Sequence, residues 1–151
     1  MYLSGRRSIS GSFHDSQKDQ ARAEAIRKLF PELAVFKDRD NPLESLTIEV
    51  GYWRKANHIH KWFVDNCQDG RDDCGHYHVS CEQLKDLRDR VQRVIDWNRL
   101  ATDLLPRQEG FFFGSNEIDD GYWEDLRLTL VIIDRALSLP DQWDFEYHSS
   151  W

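Results

Sequence analysis

The stretch Glu49–Phe63, EVGYWRKANHIHKWF, constrains the fold of this chain more than any other. Its aromatic spacing predicts one long helix. At about 100° per residue, Glu49, Trp53, Ala56, His60, Phe63 and Val64 share a face, with Leu46 above and Asn57 and Tyr52 at the margins. Ionisable groups rarely occupy the middle of such a face unless they are paired or hydrogen-bonded. The helix is therefore expected to do more than fill a core. Glu49 and His60 stand roughly 16 Å apart along a straight helix axis. Each must find its partners on other elements, with Asn98, Thr129 and the Gly110–Ser115 loop as candidates.

The rest of the chain reads mostly as helix. Residues 1–15 are rich in Ser, Gly and Arg and are expected to form a flexible N-terminal arm. A start signal at Ser16 opens a helix that Pro31 closes. Asn41-Pro42-Leu43-Glu44 is a second start signal, placing a helix that runs to about Asn66, although Thr47, Ile48 and Val50 leave a strand open at its beginning. Ser80 with Gln83 forms a capping box. Behind it Leu84, Leu87, Val91, Val94, Ile95 and Asn98 recur at helical spacing on one side. Asp119 or Asp120 starts a last helix, nearly apolar all round in its second half and therefore expected to be central. The stretch 141–151 carries Trp143, Phe145, Tyr147 and Trp151, which is too aromatic for a free tail. It is expected to pack on the body or on a partner. The predicted fold is mainly α: a compact helical bundle of about four helices with short extended pieces, spanning residues 16–140 as one domain.

Charge and composition narrow the function. A net charge of −7 and a pI near 5.3 disfavour general nucleic-acid or anionic-membrane binding and favour basic partners. No apolar run approaches a membrane span and no export signal is visible. Three cysteines cannot all pair within one chain, so reduced cytoplasmic thiols are expected. Six tryptophans are more than a core of this size hides, so some should meet partners.

Four constellations could carry chemistry. Cys74, His76, His78 and Cys81 put zinc-capable ligands within one short segment, but the spacing matches no zinc finger and a solvated loop is the competing reading. Glu49, Asn57 and His60 could form a ligand or catalytic pocket with His60 as acid and base, or a satisfied hydrogen-bond network that fixes register. The Gly110-Phe-Phe-Phe-Gly-Ser115 loop could present Phe112 and Ser115 to a ring, or plug the helices. On the outer face of the predicted helix, Trp62 beside His58 and Lys55 resembles an interaction hot spot. Cys81 at a helix start could have an acidic thiol. No nucleophilic triad or phosphate loop is present, so a binding role is favoured over an enzymatic one.

The run Glu49-x-x-Tyr-Trp-Arg-Lys-Ala-Asn57-x-Ile-His60-x-Trp-Phe63 is similar to a motif of small uncharacterised proteins encoded by tailed bacteriophages and prophages. Asp72-Asp-Cys74, Tyr77-x-Val-Ser80, Leu104-Leu-Pro106, Gly110-Phe-Phe-Phe-Gly-Ser115, Asp125-Leu126 and Thr129 extend the resemblance from about Glu49 to Leu137. It implies a setting, the cytoplasm of a bacterial host, but no reaction. The expectation is a phage-encoded accessory protein that binds a host protein or a small nucleotide-like signalling molecule, as in inhibition of host defence. Homo-oligomerisation stays open, and no cofactor is expected. The expected binding set is Arg54, Lys55, Asn57, His60, Trp62, Asp72, Asp73, Phe112 and Ser115. A pocket on His60 and Glu49 is the alternative, and a zinc protein a second.

Overall fold

The computed structural model describes residues 1–9, 17–35, 45–107 and 117–150. The chain forms a mixed α/β fold, not a helical bundle. A four-stranded antiparallel sheet has the order β2-β1-β4-β3. Its strands are β1 (Tyr2–Ser8), β2 (Ser45–Tyr52), β3 (His76–Val79) and β4 (Asp144–His148). The helices are α1 (Gln17–Leu29), α2 (Asn57–Cys67), α3 (Cys81–Asp96), the single turn α4 (Ala101–Leu104) and α5 (Asp120–Leu137).

The bundle expectation fails at three places. The stretch set apart as an arm supplies β1, which sits between β2 and β4 and buries Leu3. The long helix of Glu49–Phe63 is two elements: β2 up to Tyr52, then a turn with Lys55 at φ 60°, then α2. Local propensity agrees with the break, since β-branched Thr47, Ile48 and Val50 favour a pleated strand. The third strand pair comes from the C-terminal stretch, where Phe145 and Tyr147 alternate inward while Glu146 and His148 face the other side. Period-two alternation belongs to a strand with one buried face.

The helices cover one face of this sheet. Leu3, Val50, Val79, Phe145 and Tyr147 meet Trp53, Phe63, Leu84, Leu87, Val91, Leu126 and Ile133 in one core. Gly51 sets the spacing between β2 and α5. A Cβ there would stand 2.4 Å from Ile132 Cγ1, so only glycine lets α5 lie this close to the strand. The Arg135 guanidinium donates to the Val50 carbonyl at 2.7 Å, and Trp53 Nε1 donates to Thr129 Oγ1 at 2.9 Å. Both bonds tie the β2–α2 corner to α5.

The sequence signals for α3 and α5 are realised. Ser80 and Gln83 form the capping box, and the Asp119 carboxylate caps α5 through the Tyr122 N–H. Two details differ. The α3 helix ends at Asp96 and leaves Asn98 exposed. Leu128 and Val131 of α5 are 41% and 54% exposed, so this helix is amphipathic and not buried all round. No helix among the described residues is long and apolar enough to cross a membrane.

Candidate functional site

Helix α2 is buried on nearly every side: Asn57, His58, Ile59, His60, Trp62, Phe63 and Val64 are all core residues. Two of its histidines point into different surroundings, because neighbours two apart on a helix face roughly opposite ways.

His60 faces the sheet and has no exposed surface. Its Nδ1 is 2.7 Å from the Tyr147 hydroxyl, and its Nε2 is 3.2 Å from Asp72 Oδ1. Burial lowers the His60 pKa, and the hydrogen bond and charge of Asp72 partly oppose that. In one tautomer of the neutral ring Tyr147 O–H donates to Nδ1, while Nε2 lies beside the Asp72 carboxylate at ion-pair distance but outside hydrogen-bond geometry. Tyr147 is itself fully buried, with its ring stacked on Phe63 at 3.9 Å, and burial pushes its phenol pKa far above the usual range. Asp72 is the member that reaches solvent, with 30% of its side chain exposed. The chain Asp72–His60–Tyr147 links the loop after α2, the helix itself and β4.

His58 faces away from the sheet, toward the start of α5. It is 1% exposed, yet neither ring nitrogen has a hydrogen-bond partner among the described residues. Its ring lies 4.2 Å from that of Tyr122, whose hydroxyl donates to the Leu105 carbonyl at 3.1 Å. Burial, reinforced by the Arg107 charge, drops the His58 pKa to about 3, so the imidazole is neutral at physiological pH. Arg107 lies over the Tyr122 ring at 5.3 Å and holds Asp119 at 2.8 Å. Asp125 stands close enough to feel Arg107 and Asp119, and burial raises its carboxyl to about 6.

Trp62, one turn beyond His58, is likewise buried with its indole N–H unpartnered. The predicted exposed hot spot of Trp62 and His58 is thus turned inward. Both side chains line one cavity of about 160 Å³ between α2, α3 and α4. Lys61, Asp65 and Asn66 of α2 form one wall. Arg90 of α3 with Asp103, Leu104, Leu105 and Pro106 closes the other.

The other expected site residues are scattered. Glu49 is exposed on β2, on a different element from His60 and not on a buried helical face. Arg54 and Lys55 are exposed in the turn before α2. Asn57 is fully buried at the first position of that helix. Asp73 folds its own loop: its carboxylate accepts from Gly75 N–H at 2.9 Å and from the Tyr77 hydroxyl at 2.8 Å, and these bonds lower its pKa. Phe112 and Ser115 lie outside the described residues, as do Ser16, the Asn41–Glu44 signal and Trp151.

The Cys/His segment is distributed over three local structures. Cys74 is in a turn at φ 57°, His76 and His78 are exposed on β3, and Cys81 is exposed at the start of α3. His76 pairs with Glu146 and stacks on His148 at 4.3 Å, and His148 in turn stacks on Tyr2 at 5.9 Å. Among the described residues no three metal-capable side chains converge. Cys67 is half-buried, and burial pushes its thiol up to about 12.

Sequence reasoning missed Tyr147, Arg107, Tyr122 and Asp119 as partners of the α2 histidines. No local pattern links them to α2, since the separations run from 49 residues upward and depend on the sheet and on the approach of α5. No family model matches the chain, and no curated protein or solved structure is significantly similar to it.

Proposed function

We propose that this chain is a binding protein whose recognition site is the cavity between α2, α3 and α4. One observation carries the reading: two buried side chains whose nitrogens have no hydrogen-bond partner among the described residues, His58 and Trp62, line the same cavity. A buried polar group left unpaired costs about 1–3 kcal/mol. A partner molecule that completes those hydrogen bonds recovers that free energy on binding. The His60 network lacks this property. Its hydrogen-bonding groups face one another, and its phenol and imidazole have no exposed surface from which to reach a substrate.

The segments that carry the phage resemblance supply part of this cavity: Trp62 from one, Leu104, Leu105 and Pro106 from another. The resemblance supplies the wider setting of the proposal, a phage-encoded accessory protein acting in a bacterial host on a host protein or signalling molecule. His58 falls between the matched positions, so the polar chemistry of the cavity is this chain's own.

The test is a screen of small polar fragments against ¹⁵N-labelled protein, reading the His58 ring and Trp62 indole resonances. Fragments that move both resonances, and lose their effect on Trp62 in the His58→Phe variant, support the site. If no fragment moves either resonance, the reading is wrong. The setting is tested separately by recovery from bacterial lysate. A host protein bound one-to-one by the wild type and lost with His58→Phe is expected, and no recovery would remove the anti-defence proposal.

A further inference from the structure

The geometry points to a site for a borderline divalent transition cation, zinc foremost, on the sheet face opposite the helical core. His76 and His78 of β3 and His148 of β4 supply its ligands, and Glu146 of β4 orients His76. The site is separate from the α2–α3–α4 cavity and does not depend on it.

Strand register comes first. The antiparallel pairing of β3 with β4 sets His76 opposite His148 and His78 opposite Glu146. Val79, Phe145 and Tyr147 occupy alternate positions and are buried, so the four polar side chains share the other face. Directly opposite residues on one face have Cβ atoms about 4.5–5.5 Å apart, and residues two apart on a strand are separated by about 7 Å. Three imidazoles and one carboxylate therefore stand at the corners of one small block. No local stretch of sequence shows this set, because 70 residues separate His76 from Glu146.

Lone pairs come second. His76 Nδ1 lies 2.5 Å from Glu146 Oε1. A carboxylate only accepts, so Nδ1 carries the proton and the neutral ring keeps its lone pair on Nε2. Ligating histidines are ordinarily held this way, with the other ring nitrogen on a carboxylate that raises their basicity. His148 is flanked on both sides, by His76 at 4.3 Å and by Tyr2 at 5.9 Å. His76 is the adjustable member: it lies on an edge strand, with 61% of its side chain exposed.

Distance and ligand type come third. Two nitrogens bound to a tetrahedral zinc at about 2.0–2.1 Å stand roughly 3.3 Å apart. The His76 and His148 rings, 4.3 Å apart and 14° from parallel, are too far apart and too parallel to share an ion as they stand, and three donors do not converge in these rotamers. Tilting His76 toward His148 and turning His78 toward both closes the set by side-chain rotation, with the strand register unchanged. Imidazole ligands suit zinc, copper or nickel, whereas magnesium and calcium take oxygen shells. Glu146 and Asp144 add negative charge to this face, against Arg6 opposite Asp144. Three imidazoles leave the fourth position of a tetrahedral ion to water or to a partner's side chain.

The experiment titrates zinc chloride into the full untagged chain, with its thiols kept reduced by a phosphine. Heat and the ¹⁵N resonances of the histidine rings are the readouts. One ion per chain is expected, with Kd in the micromolar range, and magnesium should produce no change. The His76 ring should show Nδ1 protonated before the titration and Nε2 shifted by it. His76→Gln, His78→Gln and His148→Gln should each weaken zinc at least tenfold while far-UV circular dichroism stays that of the wild type. Glu146→Gln should weaken it about tenfold, with the His76 proton no longer confined to Nδ1. The double variant Cys74→Ser, Cys81→Ser should bind as the wild type does. No binding by the wild type at millimolar zinc overturns the site, and equal binding of magnesium overturns the cation class. Zinc binding that survives any one of the three histidine substitutions, or that the cysteine substitutions abolish, overturns the ligand set.

Discussion

His58 and His60 sit on the same helix, two residues apart, with almost no surface exposed, and they live under opposite conditions. The His60 ring is held at Nδ1 by Tyr147, and its Nε2 stands 3.2 Å from the Asp72 carboxylate. Neither nitrogen of His58 is held by any of the described residues. The sheet side of α2 is assembled from the N-terminal strand, the C-terminal strand and the loop after the helix, and it closes on itself. The far side is assembled from α3, α4 and the start of α5, and it leaves a cavity. The difference teaches that burial alone does not distinguish a structural histidine from a recognition histidine. What distinguishes them is whether the fold supplies the hydrogen-bond partners or leaves them to be supplied from outside.

The comparison predicts opposite signs for removing the two rings. His60→Ala should cost the most, about 3–5 kcal/mol, because it opens a cavity and strands the Tyr147 hydroxyl. Urea unfolding measures this, and a loss under about 1 kcal/mol would break the assignment of His60 as a structural node. Tyr147→Phe isolates one bond of the same network. It removes the donor to His60 Nδ1 while keeping the ring on Phe63, and should cost about 1–3 kcal/mol. His58→Phe should do the reverse and stabilise the protein by about 1–2 kcal/mol, since it removes an unpaired buried polar ring and keeps the contact with Tyr122. A destabilisation of that size would show that His58 has a partner within the fold.

The pH dependence sharpens the same contrast. The unfolded His58 takes up a proton near its ordinary pKa of 6.5, and the folded one only at about 3. Between those values the unfolded state binds more protons, so the His58 contribution to stability falls as the pH drops through this window. The depressed His60 acts with the same sign below 6.5. Asp125 acts oppositely: its raised folded value of about 6 makes the folded state the better proton acceptor down to its ordinary 3.8. His58→Phe should therefore reduce the acid sensitivity between pH 6 and 4, measured by thermal melts across the range. An unchanged slope would refute a neutral buried His58. The smallest effect is expected from Asp72→Asn, under about 1 kcal/mol, because that carboxylate is partly solvated.

Some of this was legible from the chain. Ser80 with Gln83, Asp119 and the apolar series Leu84, Leu87, Val91 and Val94 are local signals, satisfied by atoms within a few residues, and the helices α3 and α5 follow them. The importance of Glu49–Phe63 was legible too, although its architecture was not. Trp53, Ala56, His60 and Phe63 read as one buried face with Glu49, but the chain breaks at Trp53–Lys55 and Glu49 faces solvent. Apart from β2, which Thr47, Ile48 and Val50 left open, the strands escaped notice for a common reason. β1, with the sequence YLSGRRS, has little intrinsic β character, and its hydrogen bonds go to β2, about 40 residues on, and to β4 near the other end of the chain. Strand propensity is largely a matter of what lies alongside, and that is non-local.

The sequence by itself determined that this helix must carry buried polar groups, because His60 and Asn57 share a face with Ala56, Phe63 and Val64, but it placed His58 and Trp62 outside, and the structure buries both. The sequence also determined the capped starts of α3 and α5. Only the tertiary structure decided which histidine is satisfied and which is left open. That decision belongs to β4, which brings Tyr147 against His60, and to Gly51, which lets α5 close on β2. A hydrogen bond needs its two atoms within about 3 Å, and no one-dimensional pattern fixes distances between residues separated by most of the chain.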